Sequence, residues 1–278
     1  MLTSLRTAVG HLSIIPLGSQ ARKVAEGREG EVLVFFPFAG LLVGVAPAAV
    51  LVLATLATHR GSLLAAALTV AAMALVTGAA NLVNLAATTD AMASGLPRTE
   101  ALAEHNGDRL AAPGAVAMAL SLLVKFGAII GLTTTLEVTG DWRSSAGFLV
   151  GAIIAILLAS TLGRWAAVVL AAYSEYARPE GGEDEWMVRY CGAREFRWVL
   201  VPVAAVSGAA AAAGLLKYSQ LGWLQVVLAV LGALAVAYFA SLFFERRFGG
   251  VTGRQMGAVI ELAETATLAI CAMSALQL

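Results

Sequence analysis

Charge is scarce in this chain of 278 residues: 13% of them are Asp, Glu, Lys or Arg, against about 25% in ordinary soluble domains. The formal net charge is zero and no block of basic residues occurs, which excludes a nucleic-acid-binding surface. Cysteine is nearly absent, with Cys191 in a polar segment and Cys271 in an apolar run. Two thiols in such unlike settings make no disulfide framework and give no sign of an oxidising compartment. Histidine is equally sparse, and His105 alone is no zinc site, which takes three protein donors. The first residues hold one arginine, Arg6, and an apolar stretch broken by His11 and Pro16, too weak for a signal peptide. Short alternating strands are also missing, so a β-barrel is disfavoured.

What the chain does have is apolar residues, 59% of the total, with a mean hydropathy of +0.83. It reads as an all-α integral membrane protein forming one polytopic domain over residues 1–278. Each crossing of a bilayer needs about 20 apolar residues. Seven stretches qualify, near 33–57, 62–88, 110–135, 146–173, 198–216, 221–244 and 255–277. Leu2, Leu5, Val9 and Leu12 recur at helical spacing, which predicts a surface helix over 2–15. Thirteen of the 18 Lys and Arg residues fall in the odd-numbered loops, counted from the N-terminus, and only Arg60, Arg143 and Lys217 in the even ones. The positive-inside rule then predicts a cytoplasmic N-terminus, an external C-terminus and a multi-pass protein of the inner (plasma) membrane whose active face is cytoplasmic.

Most of the unusual polar residues share that face. In "GGVTGRQMGAVIELAE" (249–264), glycines and Thr252 precede an apolar helix, so exposed N–H groups, the helix dipole and Arg254 form a natural anion cradle. Glu261 and Glu264 lie three apart on one face, and carboxylates set so deep are functional candidates, with a structural ion pair to Arg164 or Lys125 as the rival reading. Arg164 sits inside a span and needs an acid or a bound anion, while Lys125 is long enough to snorkel. In "EHNGDRLAAPG" (104–114), Asp108 beside Arg109 is placed to cap a helix. The segment "EDEWMVRYCGAREFRW" (183–198) reads as an aromatic interfacial anchor. The stretch "TGAANLVNLAATTDAMASG" (77–95) begins as a membrane helix, ends as a polar loop and carries the single acid Asp90. Positions 83, 87 and 90 share a helical face where three carboxylates would suit a divalent cation bridging a diphosphate, but two are Val83 and Ala87. Asn81 and Asn84 there can hydrogen-bond but are neutral.

The ordered set "LRTAVGHLSIIPLG", "FFPFAGLLVG", "VTGAANLVNLAATTDA", "HNGDRLAAPG", "GRWAAVVLAAYSEYARPEGG" and "GGVTGRQMGAVIELAE" resembles the cobalamin synthase family, the membrane-bound adenosylcobinamide-GDP ribazoletransferases. The resemblance runs nearly end to end. It implies a magnesium-dependent transferase that joins α-ribazole, or its 5′-phosphate, to adenosylcobinamide-GDP and releases GMP. It implies catalytic roles for Asp90, Arg164 and Glu261, with Asp90 also a metal ligand. Substrate binding falls on Asn81, Asn84, Asp108, Arg109, Thr252, Gly253, Arg254 and Glu264. The partners implied are corrinoid and nucleotide small molecules within a lipid bilayer, and self-association into a homo-oligomer is left open. The chain departs from the family pattern at the acidic run, where Asn81 replaces a histidine, Val83 and Ala87 replace aspartates, and Asn84 and Ala91 replace glycines. Asn106, Gly107 and Pro113 break the next motif, and Arg254 stands where the family has an aspartate.

Three functions are therefore expected in descending order. The first is a transferase of the family's type, with arginine in place of magnesium as a variant of its phosphate chemistry. The second is a non-catalytic homologue that binds a corrinoid, nucleotide or lipid, or scaffolds an active partner. The third is a transporter, for which no inverted repeat is visible.

Overall fold

The computed structural model describes residues 2–18, 24–58, 63–104, 110–133, 142–216, 219 and 221–273. They form twelve helices: α1 (Leu2–Leu12), α2 (Glu29–Val34), α3 (Phe36–Thr58), α4 (Leu63–Val76), α5 (Ala80–Ala93), α6 (Arg98–Glu104), α7 (Ala112–Thr133), α8 (Trp142–Ala172), α9 (Trp186–Arg189), α10 (Ala193–Leu215), α11 (Trp223–Phe248) and α12 (Gly253–Met273). Among the described residues, six helices are long and apolar enough to cross a membrane, and α4 with α5 makes a seventh if the bent pair counts as one span. The all-α membrane architecture read from the hydrophobic runs is the one observed.

The second expected span, 62–88, is not a continuous helix. It bends by 80° between α4 and α5. Gly78 (φ 62°) and Ala79 (φ 57°) both take the left-handed conformation. The Ala79 N–H donates to the Ala74 carbonyl at 2.7 Å and the Gly78 N–H to the Leu75 carbonyl at 2.9 Å. These two bonds are the Schellman termination, with glycine at its left-handed position. The chain then restarts as α5, so the segment expected to finish as a polar loop is helical through Ala93.

Helix α8 forms the centre of the bundle, buried on all sides through most of its length, and α12 packs beside it with most of its surface covered. Without a hydrophobic drive between helices in lipid, close approach depends on small residues. Gly40 and Gly44 of α3, four apart, face Ser160 of α8; a Cβ on Gly44 would lie 2.9 Å from the Ser160 Cβ. Gly163 of α8 does the same for α12, with a Cβ there falling 2.8 Å from Glu264 Cγ. Helix α1 lies where a surface helix was expected and buries Ser4, Thr7, Ala8, Val9 and Gly10.

The segments that precede α3, follow α5, follow α8 and follow α11 meet at one end of the bundle. Arg98 of α6 donates to the carbonyls of Ala177 (3.1 Å) and Gly249 (3.4 Å), and Arg247 of α11 to that of Leu96 (2.8 Å). The Glu175 N–H donates to Glu245 Oε1 at 3.0 Å, and His11 of α1 stacks on Trp186 of α9 with ring centroids 5.4 Å apart. These four segments are the odd-numbered loops that hold most of the basic residues.

Candidate functional site

At that end lies a cavity of about 470 Å³, bounded by the end of α1, the start of α5, the loop before α9 and the first two turns of α12. Asn81, Asn84, Asp184, Gly253, Arg254 and Gly257 line it. The wall from α12 begins with a capping box: Gln255 Oε1 accepts the Thr252 N–H at 2.7 Å, closing the turn through a Thr-x-x-Gln pattern. Thr252 is fully buried behind this turn and does not line the cavity. Opposite, α5 presents Asn81 and Asn84. A Cβ on Gly257 would strike the Asn84 side chain, so the glycine lets this amide lie directly against α12. Neither asparagine side chain has a hydrogen-bond partner among the described residues, although Asn81 is only 8% exposed. Two amides thus offer donors and acceptors to whatever fills the cavity.

The sequence reasoning missed Asp184. The loop after α8 is tied to the turn after α11 by a short parallel bridge, with the Ala177 N–H donating to the Val251 carbonyl (2.9 Å) and the Val251 N–H to the Glu175 carbonyl (2.8 Å). Gly250 (φ 146°) has no room for a side chain beside Glu175. The bridge brings Asp184 to the start of α12, where Oδ2 accepts the Gly253 N–H and Oδ1 accepts the Tyr176 hydroxyl at 2.5 Å. Partial burial first, and then this bond to a carboxylate, push the Tyr176 hydroxyl well above its usual range and keep it a donor. No spacing rule links positions 184 and 253; the only hint was the acidic run after Gly181 and Gly182, which reads equally well as an anchor.

The other expected site residues are elsewhere. Arg164, Glu261 and Glu264 meet Lys125 in the bundle interior, not in the cavity. Lys125 Nζ lies 2.7 Å from Glu261 Oε1 and 2.9 Å from Glu264 Oε2, and Arg164 Nη1 pairs with Glu264 Oε1. Ser121 donates to Glu261 at 2.6 Å, and Arg164 also donates to the Ser160 carbonyl at 3.2 Å. Two cations and two carboxylates, each at most 4% exposed, make a neutral group joining α7, α8 and α12. Lys125 does not snorkel; it is the hinge of the group. Asp90 sits at the far end of α5, where its two oxygens accept the N–H groups of Ala111 (2.8 Å) and Gly114 (2.7 Å). It therefore caps α7, the role expected of Asp108. Asp108 and Arg109 lie outside the described residues.

The α5 face where the family's acidic run falls does not fit a magnesium ion. On the face of α5 at 83, 87 and 90, Val83 is 53% exposed, Ala87 has no donor, and both Asp90 oxygens already hold backbone N–H groups. No three His, Cys, Asp or Glu side chains among the described residues converge as a ligand set.

The family model described as cobalamin-5-phosphate synthase matches residues 4–272. The chain belongs to that family. Among its relatives, an adenosylcobinamide-GDP ribazoletransferase of Rhizobium etli (strain CIAT 652) is 30% identical over 267 residues, 96% of this chain and 94% of the relative. The enzyme of the same name from Sinorhizobium medicae (strain WSM419) is 32% identical over 271 residues, covering 96% and 95%. That from Pseudomonas paraeruginosa (strain DSM 24068 / PA7) is 31% identical over 275 residues and covers 98% of both. No solved structure matches the chain. Family membership makes this a multi-pass membrane protein of a transferase family, and the cavity at the start of α12 is its candidate active site.

Proposed function

We propose that this protein is a membrane transferase that joins α-ribazole, or its 5′-phosphate, to adenosylcobinamide-GDP. In that reaction a hydroxyl oxygen of the ribazole forms a new bond to the phosphorus attached to the cobinamide. The bond between that phosphorus and the bridging oxygen breaks, and GMP leaves with the bridging oxygen. The observation that carries the reading is the cavity itself: Gly253 and Arg254 at the start of α12 and the two asparagine amides face one space at the membrane end that holds most of the basic loops. Arg254 and the N–H groups at the start of α12 supply positive potential for a diphosphate, and Asn81 and Asn84 orient its neighbours. By the positive-inside rule this end faces the cytoplasm across the inner membrane, where soluble nucleotides are available. Arg164, Glu261 and Glu264 hold the helices that frame the site.

A second reading, a homologue that binds a corrinoid or nucleotide without turnover, is favoured by the engagement of Asp90 in capping α7. Purified protein in detergent, given adenosylcobinamide-GDP and α-ribazole, decides between them. GMP and the cobamide should appear in equal amounts. Binding of adenosylcobinamide-GDP with no GMP above the protein-free control would leave only the second reading.

A further inference from the structure

The α12 N-terminus already holds an anion, and that anion belongs to the protein. Asp184 places one carboxylate oxygen on the Gly253 N–H and the other on the Tyr176 hydroxyl, inside the cavity that Arg254 lines. A carboxylate in this position has the geometry of a bound phosphate oxygen at a helix start. The cavity beside it is not satisfied from within. Asn81 is more than nine-tenths buried and lines the cavity with no hydrogen-bond partner among the described residues, and Asn84, also lining it, has none. Such an amide facing a cavity points to a ligand that supplies the missing partners. On the cation side, α5 offers no ligand set for a divalent ion, as the exposed Val83 and the doubly engaged Asp90 show.

We infer that a phosphate or diphosphate group binds at the start of α12 by displacing the Asp184 carboxylate, with Arg254 and the helix N–H groups balancing its charge in place of a divalent cation. Asp184 is half-buried in a loop, so leaving the site returns it to water at little cost, whereas staying would set two anions against each other. Asp184 thus acts as an internal competitor that keeps the N-terminus satisfied until a stronger anion arrives. The Tyr176 hydroxyl, which stays protonated, holds it in place between ligands. The inference takes from the transferase reading only the identity of the phosphate donor; the anion site stands on its own geometry.

Titration of the purified full chain in detergent with inorganic pyrophosphate, in EDTA and again in excess magnesium, tests it. Wild-type affinity should be the same within about twofold in both buffers. Asp184→Asn, which removes the competing charge, should bind at least about tenfold tighter, and Tyr176→Phe, which loosens the carboxylate without removing it, should gain by a smaller factor. Arg254→Gln should lose at least about tenfold. Binding that appears only with magnesium, or an Asp184→Asn variant that binds no tighter than wild type while Tyr176→Phe is also unchanged, overturns the inference. Absence of GMP release from adenosylcobinamide-GDP would overturn the transferase reading alone, since pyrophosphate binding does not depend on turnover.

Discussion

Replacing Lys125 by Met removes one of the two cations in the buried group and leaves two carboxylates, Glu261 and Glu264, facing Arg164 alone. Met has nearly the shape of Lys, so packing among α7, α8 and α12 is kept and the loss is electrostatic. Lys125 holds both carboxylates, at 2.7 and 2.9 Å. Taking one partner from a buried ion group costs about 3–5 kcal/mol, because a charge stays buried without compensation. At about 2–4 °C per kcal/mol for a chain of this size, the melting temperature should fall by about 6–20 °C. Thermal unfolding in mild detergent, followed by the fluorescence of the five tryptophans, measures it. The sharper test is the double variant Lys125→Met with Glu261→Gln, which removes one charge of each sign and keeps the Arg164–Glu264 pair. It should lose much less than the sum of the single losses, with a coupling of about 0.5–3 kcal/mol. A Lys125→Met protein that melts with the wild type, or a double variant whose loss equals the sum, would refute the account of the group as one neutral unit.

Gly44→Val puts a side chain into Ser160, 2.9 Å away, and forces α3 off α8; overpacking of this kind costs about 1–3 kcal/mol, read as a drop in melting temperature, while Gly127→Ala, with open space around it, should leave that temperature unchanged. Asp90→Ala removes the acceptor for two N–H groups at the start of α7 and should cost about 0.5–2 kcal/mol by the same melt, with no change in a magnesium titration. Cys191, outside the spans, has its thiol pushed up to about 12 by burial and then by Glu195. Iodoacetamide at pH 7.5 should therefore alkylate it at least about a hundredfold more slowly than in protein unfolded by SDS. Because the folded state keeps this proton longer, the contribution of the thiol to stability is complete below the unfolded value of about 8.5 and is lost as pH rises toward 12, which a melting series from pH 7 to 11 follows.

The helices were legible because each crossing is a run of apolar residues long enough to count, and the convergence of the basic loops because charge segregates by loop parity. The break at Gly78 was also written in the chain, as a glycine after a helix, but the apolar run continues through it and hides the signal. The pairing of the buried charges was legible only in part: an ion pair of Glu261 to Lys125 was within the rival reading and is observed at 2.7 Å, but the partner of Arg164 was not fixed. Glu261 and Glu264 are three apart on one face, and only the rotation of α12 against α8, set by Gly163, decides that Arg164 meets Glu264. Of the expected site residues, Arg164, Glu261, Glu264 and Asp90 do not border the cavity, whereas the amides of Asn81 and Asn84 and the turn at Gly253 and Arg254 do. Asp184 joins them through a backbone bridge between Tyr176 and Val251, a contact that no local pattern encodes.

The two polar centres differ in what they can exchange. In the interior, Lys125 and Arg164 leave Glu261 and Glu264 no capacity to spare: each carboxylate already has a cation, and water cannot replace it. At the end of the bundle, the Asp184 carboxylate is held by one N–H and one hydroxyl and borders a cavity, so a ligand can take its place. Stability and ligand binding should therefore respond to different residues, although both sets lie on or against α12. Glu261→Gln should lower the melting temperature by several degrees while the folded protein binds pyrophosphate within about twofold of wild type. Asp184→Asn should do the reverse, with tighter binding and a melting temperature lower by no more than about 4 °C, since the loss of one part-buried hydrogen bond is worth about 1 kcal/mol. If Glu261→Gln weakened pyrophosphate binding as strongly as Arg254→Gln does, the interior group and the cavity would be one site, and the separation drawn from their geometry would fail.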